Sequence, residues 1–245
     1  MKLKSLINDC INIENNIQQI KIINDNLKKC KNSINSKLII YMNDEEIHNF
    51  LQKIQNFGKF ILDIKPFFEP SSIINNDINK QNSIIRWIKE KVNKKIVKFE
   101  LIFKMSENGS KSEDFHKYCD DKGSTLILIK TNKNRIFGGF TPLSWKYIIG
   151  KKYYDESNQT FIFSLDLMKK YDMIDKKKQA IYCDINLGPE FGGNDFSLGK
   201  DMKKGETYAN EYCNFLSNKN LELTGGNKER ESFEVDELEV FRIIY

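Results

Sequence analysis

Residues 125–140 read TLILIKTNKNRIFGGF. Thr125–Thr131 is a nearly continuous apolar run rich in β-branched residues, the pattern of a central strand rather than one half-open to water. The polar triplet at 132–134 turns the chain, and Arg135–Phe140 returns as the second strand of a hairpin. Upstream, Val97, Phe99, Leu101 and Phe103 alternate with Lys98, Glu100 and Ile102, a period-two strand. SENGS at 106–110 closes it. Ser110 and Glu113 then have capping-box spacing for a short helix carrying Phe115, Tyr118 and Cys119, with Gly123 as a left-handed stop. Further strands are expected at Thr160–Leu165, Ala180–Ile185, Asp195–Leu198 and Phe233–Tyr245. Short strands with few helices between them disfavour a βαβ sheet and argue for antiparallel pairing, as a sandwich or a curled sheet.

The preceding residues follow a different pattern. Positions 3–38 carry a heptad: Leu3, Cys10, Ile17, Asn24, Lys31 and Leu38 at one seam position, and Leu6, Ile13, Ile20, Leu27 and Ile34 at the other. A helix with this seam must bury it, and a 3.5-residue period favours a coiled coil that joins copies of the chain; packing on its own chain is the alternative. A second helix is expected over Asp44–Phe57, with Ile47, Phe50, Leu51 and Ile54 on one face. Pro66 and Pro70, followed by Ser, Asn and Asp, break the pattern. The reading is therefore a helical oligomerisation region at 1–62, a linker at 63–82 and a globular domain at 83–245, opened by an amphipathic helix over Ser83–Val92. The fold class is α+β, a mainly antiparallel two-sheet β-sandwich flanked by short helices and preceded by a coiled-coil arm.

Composition narrows the function classes. The 245 residues are 40 % hydrophobic and 30 % charged, outside the range of wholesale disorder. No run approaches the ~18 apolar residues that span a bilayer, and MKLKSLINDC lacks the apolar core of an export signal. Five cysteines, an odd number with no C-x-x-C pair, fit free thiols in a reducing, cytoplasmic compartment. A net charge of +5, with lysines and acids interspersed, is a weak basis for nucleic-acid binding.

Candidate chemistry is sparse. His116 and Cys119 lie three residues apart on one helix face, the spacing of a pair that could make a reactive thiolate; a buried core cysteine is the commoner use of the residue. Cys119 and Cys183 are the redox candidates of a thiol-based peroxide sensor or antioxidant enzyme. The segment from Gly193 to Lys200 is one residue too long for a phosphate loop and has Asp201 where Ser or Thr is needed. The paired glycines of 138–139 and 192–193 read instead as bulges or close backbone approaches. Two histidines in separate segments do not suggest a zinc site, and no catalytic constellation or cofactor motif is recognised. Glu237 and Glu239 fall opposite Leu238 and Val240, which reads as a solvated strand face or as an acidic docking surface.

Taken in order, FKMSENGSKSEDFHKYCDDKGSTLILIKT (103–131), FGGFTPLSW (137–145), FIFSL (161–165), IYC with GPEFGG and DFSL (181–198) and FEVDELEVFRI (233–243) resemble the TLDc domain family. The resemblance covers roughly 83–245. It departs at Lys104–Gly109, where the family more often has Arg and Asp. The resemblance implies a two-sheet sandwich and function by association: a non-enzymatic adaptor linked to oxidative-stress resistance and to regulation of the V-ATPase, placed in the cytoplasm or at endomembranes through that partner. It marks Gly192, Gly193, Asp195, Glu237 and Glu239 as family-motif or partner-binding candidates. A coiled-coil trafficking scaffold is a further reading.

Overall fold

The computed structural model describes residues 38–42, 62–75, 77–208, 223–225 and 230–245. The heptad, apart from its last position Leu38, and the second helix at 44–57 lie outside these residues. The chain divides into two compact units, Met1–Pro66 and Phe67–Tyr245. In the first, β1 (Leu38–Met42) pairs in parallel with β2 (Leu62–Pro66).

The second unit begins with residues the sequence assigned to a linker. Phe68, Ile73 and Ile74 are buried, and Phe68 stacks on Phe99 with ring centroids 4.5 Å apart. Apolar content therefore overrides the two prolines here. Helix α1 (Ile78–Lys91) starts five residues earlier than expected. The Asp77 carboxylate accepts from the Asn79 and Lys80 N–H groups at 3.0 and 3.2 Å, an N-cap that fixes the earlier start. Ile84, Ile85, Trp87 and Ile88 form its buried face.

After α1 come β3 (Lys98–Lys104), α2 (Met105–Asn108), α3 (Ser112–Cys119), β4 (Thr125–Thr131) and β5 (Ile136–Thr141). Next are β6 (Lys151–Tyr154), β7 (Phe161–Ser164), β8 (Lys169–Asp172) and β9 (Gln179–Cys183). The last are β10 (Glu190–Phe191), β11 (Phe196–Leu198), β12 (Lys204–Tyr208) and β13 (Arg230–Ile244). β3 to β13 form one mainly antiparallel sheet of eleven strands. Ten follow the order β6-β9-β10-β11-β12-β13-β4-β5-β7-β8, and β3 is a side branch on β13. Ten strands thus lie on one continuous hydrogen-bonded path, where the resemblance implies a two-sheet sandwich.

β13 makes the path continuous. Its residues 230–234 pair with β12, 235–242 with β4, and 239–244 with β3. One core lies between the two arms of the path, with Ile127, Ile129 and Phe137 contributed by one arm and Ile181, Phe191 and Phe196 by the other. A second core lies on the outer face of β4, β5 and β7, where Leu126, Leu128, Phe140 and Phe163 meet α1. That TLILIKT feeds both cores explains its unbroken apolarity.

Two bulges reset the alternation. Val235 pairs with Thr131 but Glu237 with Lys130, so Asp236 is extra. Phe233 and Val235 consequently share a core with Leu238 and Val240 despite their opposite parity. On β3, Phe103 faces Val240 but Leu101 faces Phe241, leaving Ile102 extra. The strict alternation expected over Val97–Phe103 therefore fails at Ile102: Phe99 enters the α1-side core and Phe103 the inter-arm core.

The β5 glycines are close approaches. A Cβ on Gly138 would lie 1.9 Å from the Ile127 carbonyl oxygen, and one on Gly139 would lie 2.7 Å from the Phe191 ring. Gly138→Ala should lower stability by about 3 kcal/mol, because strand backbone rather than a flexible side chain must move. Urea unfolding checks this; a loss under about 0.5 kcal/mol contradicts the packing described.

Candidate functional site

The turn between β10 and β11 carries the family-motif candidates Gly192, Gly193 and Asp195. Gly192 and Asn194 take left-handed conformations, with φ of +65° and +73°. The Gly192 N–H donates to the Ala180 carbonyl at 2.9 Å, and its own carbonyl accepts from the Gln179 side-chain amide. The Tyr208 N–H donates to the Asn194 carbonyl at 2.8 Å, tying the turn to β12. Asp195 is buried and engaged by neighbours. Phe191 stacks on Phe196 at 4.9 Å and meets the Trp145 ring at 5.6 Å. Gly139 makes room for Phe191, so the FGGF and EFGG motifs are two sides of one contact.

Beside this turn lies an open groove of about 720 Å³, lined by Lys133, Glu190, Asn194, Lys204, Glu206 and Phe233 among others. Glu190 was not singled out in the sequence. It is 5 % exposed, and its Oε1 accepts from the Gln179 amide at 3.3 Å. Burial raises its pKa to about 7, against the opposing pull of Gln179, the Asn194 N–H and Lys152; Asp184 adds to the rise.

Glu237 and Glu239 lie on β13 and have different surroundings. Glu239 is fully buried on the α1 side of β13. It accepts the Ser71 hydroxyl at 2.5 Å, and the Ser72 N–H and hydroxyl at 2.8 Å each. The solvated face expected for it is covered by residues 67–75, whose serines supply the hydrogen bonds a buried carboxylate needs. Glu237 accepts from the Ser106 N–H at 3.1 Å and holds the start of α2. The structure therefore separates Gly192, Gly193 and Asp195 at one turn from Glu237 and Glu239 on β13.

The redox candidates are buried. Cys119 is fully enclosed; burial, then the Asp120 charge, pushes its thiol well above the ordinary value. Burial takes Cys183 to about 11. Both shifts run opposite to the activation a reactive thiolate requires. His116 Nδ1 lies 2.8 Å from Asp120 Oδ1 and Nε2 lies 3.0 Å from the Asp184 carbonyl. Burial disfavours the imidazolium, but two acceptors at once favour both nitrogens carrying protons, and the pKa is raised. Neither nitrogen is left as a base for Cys119. Among the described residues, no group of three or more His, Cys, Asp or Glu side chains is placed to hold a metal.

Residues 67–244 match the family model described as the TLDc domain. The mTOR-associated protein MEAK7 of Danio rerio is 23 % identical over 155 residues, covering 59 % of this chain. The matched region spans 32 % of that relative's length.

Two predictions rest on this geometry. Glu239→Ala should cost roughly 1–3 kcal/mol by leaving the buried Ser71 hydroxyl without its acceptor and releasing the exposed Ser72. Hydrogen exchange should quicken at residues 71–75 while β4 and β5 stay protected; unchanged protection at 71–75 refutes the hold of Glu239 on that segment. The Glu190 carboxyl binds its proton more tightly folded than unfolded, so its contribution to stability is full below the ordinary carboxylate range and is lost as pH rises through about 7. His116, also raised, works in the same direction. Comparing Tm from about pH 5 to about pH 8, Glu190→Gln should flatten the decline seen in the unaltered chain; parallel profiles count against it.

Proposed function

The chain belongs to the TLDc domain family, and from that premise we propose that it is a non-enzymatic binding and regulatory protein, a TLDc-type adaptor acting through protein partners. The observation that carries the reading is the extent of the match: residues 67–244 against a compact unit of Phe67–Tyr245. The motif residues of that unit serve packing and backbone geometry. Phe191 fills the space above Gly139, Glu239 holds Ser71 and Ser72, and Cys119 is enclosed. Side chains so committed suit a scaffold that presents a surface.

The partner class extends the resemblance. An intracellular assembly is the proposed target, the V-ATPase foremost, with resistance to oxidative stress following from that association rather than from a thiol. The relative whose name states association with mTOR supports a protein-interaction role in the same way. No described helix is long and apolar enough to cross a membrane. The proposed location is the cytoplasm, with endomembrane contact through the partner. Residues 3–38 are proposed to join copies of the chain, which raises avidity when two domains engage one assembly.

Affinity capture of the full chain from lysate, followed by identification of co-purifying proteins, tests the partner; V-ATPase subunits are the expected catch, and their consistent absence removes that assignment. Deleting residues 1–60 should reduce the particle to a monomer in light scattering. An unchanged number of chains per particle counts against the coiled-coil arm.

A further inference from the structure

The turn leading into β6 carries apolar side chains outward. Tyr147 is 60 % exposed, Ile148 37 % and Ile149 76 %. Isolated exposed hydrophobes are ordinary, but three in succession form a tip that an ordinary turn does not need. The tip is held in shape. The Ile185 N–H donates to the Ile148 carbonyl at 3.0 Å, and the Gly150 N–H to the Asp184 carboxylate at 2.9 Å. The Tyr147 ring meets His116 edge to face at 5.4 Å. Gly150 takes φ +55°, the left-handed conformation that the turn requires. Apolar groups fixed in this way meet a partner with little ordering cost.

Lysines flank the tip on both sides in sequence. Residues 144–154 read SWKYIIGKKYY, with three lysines and no acid. Lys151 and Lys152 are exposed, and Tyr154 is half exposed. Of the acids nearby, Asp121 pairs with Lys146, Asp120 lies against His116, Asp184 accepts from the Gly150 N–H, Asp155 is buried against Ser157 and Thr160, and Glu156 is exposed. The chain as a whole carries a charge of +5. Aliphatic side chains at a rigid tip, tyrosines behind them and lysines around them match the layers of an anionic bilayer surface: acyl boundary, headgroup level and phosphate.

We propose that residues 147–154 form a contact site for an anionic lipid membrane surface, with Ile149 entering the interface and Lys151 and Lys152 meeting the headgroups. One small tip gives weak, reversible and salt-sensitive attachment.

Sedimentation of the full chain with phosphatidylcholine vesicles, with and without roughly 30 mol% phosphatidylserine, tests the site. The anionic vesicles should carry the chain down, the neutral ones should not, and salt should reverse the binding. Ile149→Asp, with an unchanged melting curve, should bind at least about tenfold more weakly. Lys151→Glu with Lys152→Glu should do the same. Leu167→Asp, the same charge change at another exposed apolar turn, should bind as the unaltered chain does. Failure of the unaltered chain to bind anionic vesicles overturns the proposal. So does Ile149→Asp that binds equally, or Leu167→Asp that loses as much. Loss of a protein partner from Ile149→Asp with vesicle binding intact overturns it in favour of a protein docking site.

Discussion

β13 is hydrogen-bonded to β12, β4 and β3, and this shared strand is the constraint on which the rest of Phe67–Tyr245 depends. A strand pairing into both arms of a folded-over sheet must aim apolar side chains at the enclosed core on both sides of the point where the sheet changes direction. Strict alternation cannot do this where the sheet changes direction. The extra residue Asp236 resolves the conflict: Phe233 and Val235 before it and Leu238 and Val240 after it face the same interior. On β3 the extra residue Ile102 acts the other way, sending Phe99 and Phe103, which share a parity, into different cores. The outer layer depends on the same strand, because Glu239 holds Ser71 and Ser72 from it while Phe241 and Ile243 join the core beneath α1.

The hairpin at 125–140 and the antiparallel character were legible because their signals are local. TLILIKT spans β4 as written, and α3 and β7 fall within a few residues of expectation. The polar strands β6, β8 and β12 escaped notice: KKYY, KKYD and KGETY have little apolar contrast to show a period of two. The bulges escaped for another reason. An extra residue is visible only against the partner strand, and that pairing is long-range. The early start of the folded unit is masked in the sequence because Pro66 and Pro70 signal a break beside Phe68, Ile73 and Ile74, whose burial depends on long-range packing.

The site residues divide along the same line. Paired glycines announce close backbone approach in any context, and Gly138 and Gly139 match that reading. Glu190 could not be singled out, since its burial depends on β9 and β11 flanking it. Glu239 lies in an acidic run that looks solvent-facing until the Ser71–Ser72 segment is laid over it. His116 and Cys119 share a helix as the spacing indicates, but Asp184, far along the chain, takes the imidazole nitrogen that a catalytic pair would require. A buried polar group is defined by its distant neighbours, and sequence spacing reports only the near ones.

The position of β13 along the chain also affects the order of assembly. As a ribosome releases the polypeptide from its N-terminal side, β3, β4 and β12 emerge before the strand that joins them, and Val240 must find Ile127 and Phe103 across most of the domain. Until then β4 has β5 on one edge and nothing native on the other, with its leucines and isoleucines open to whatever is nearby. Long-range closure of this kind is slow and leaves unpaired edges exposed to aggregation. The nascent chain is therefore most exposed to wrong pairing in the interval before residues 230–244 become available.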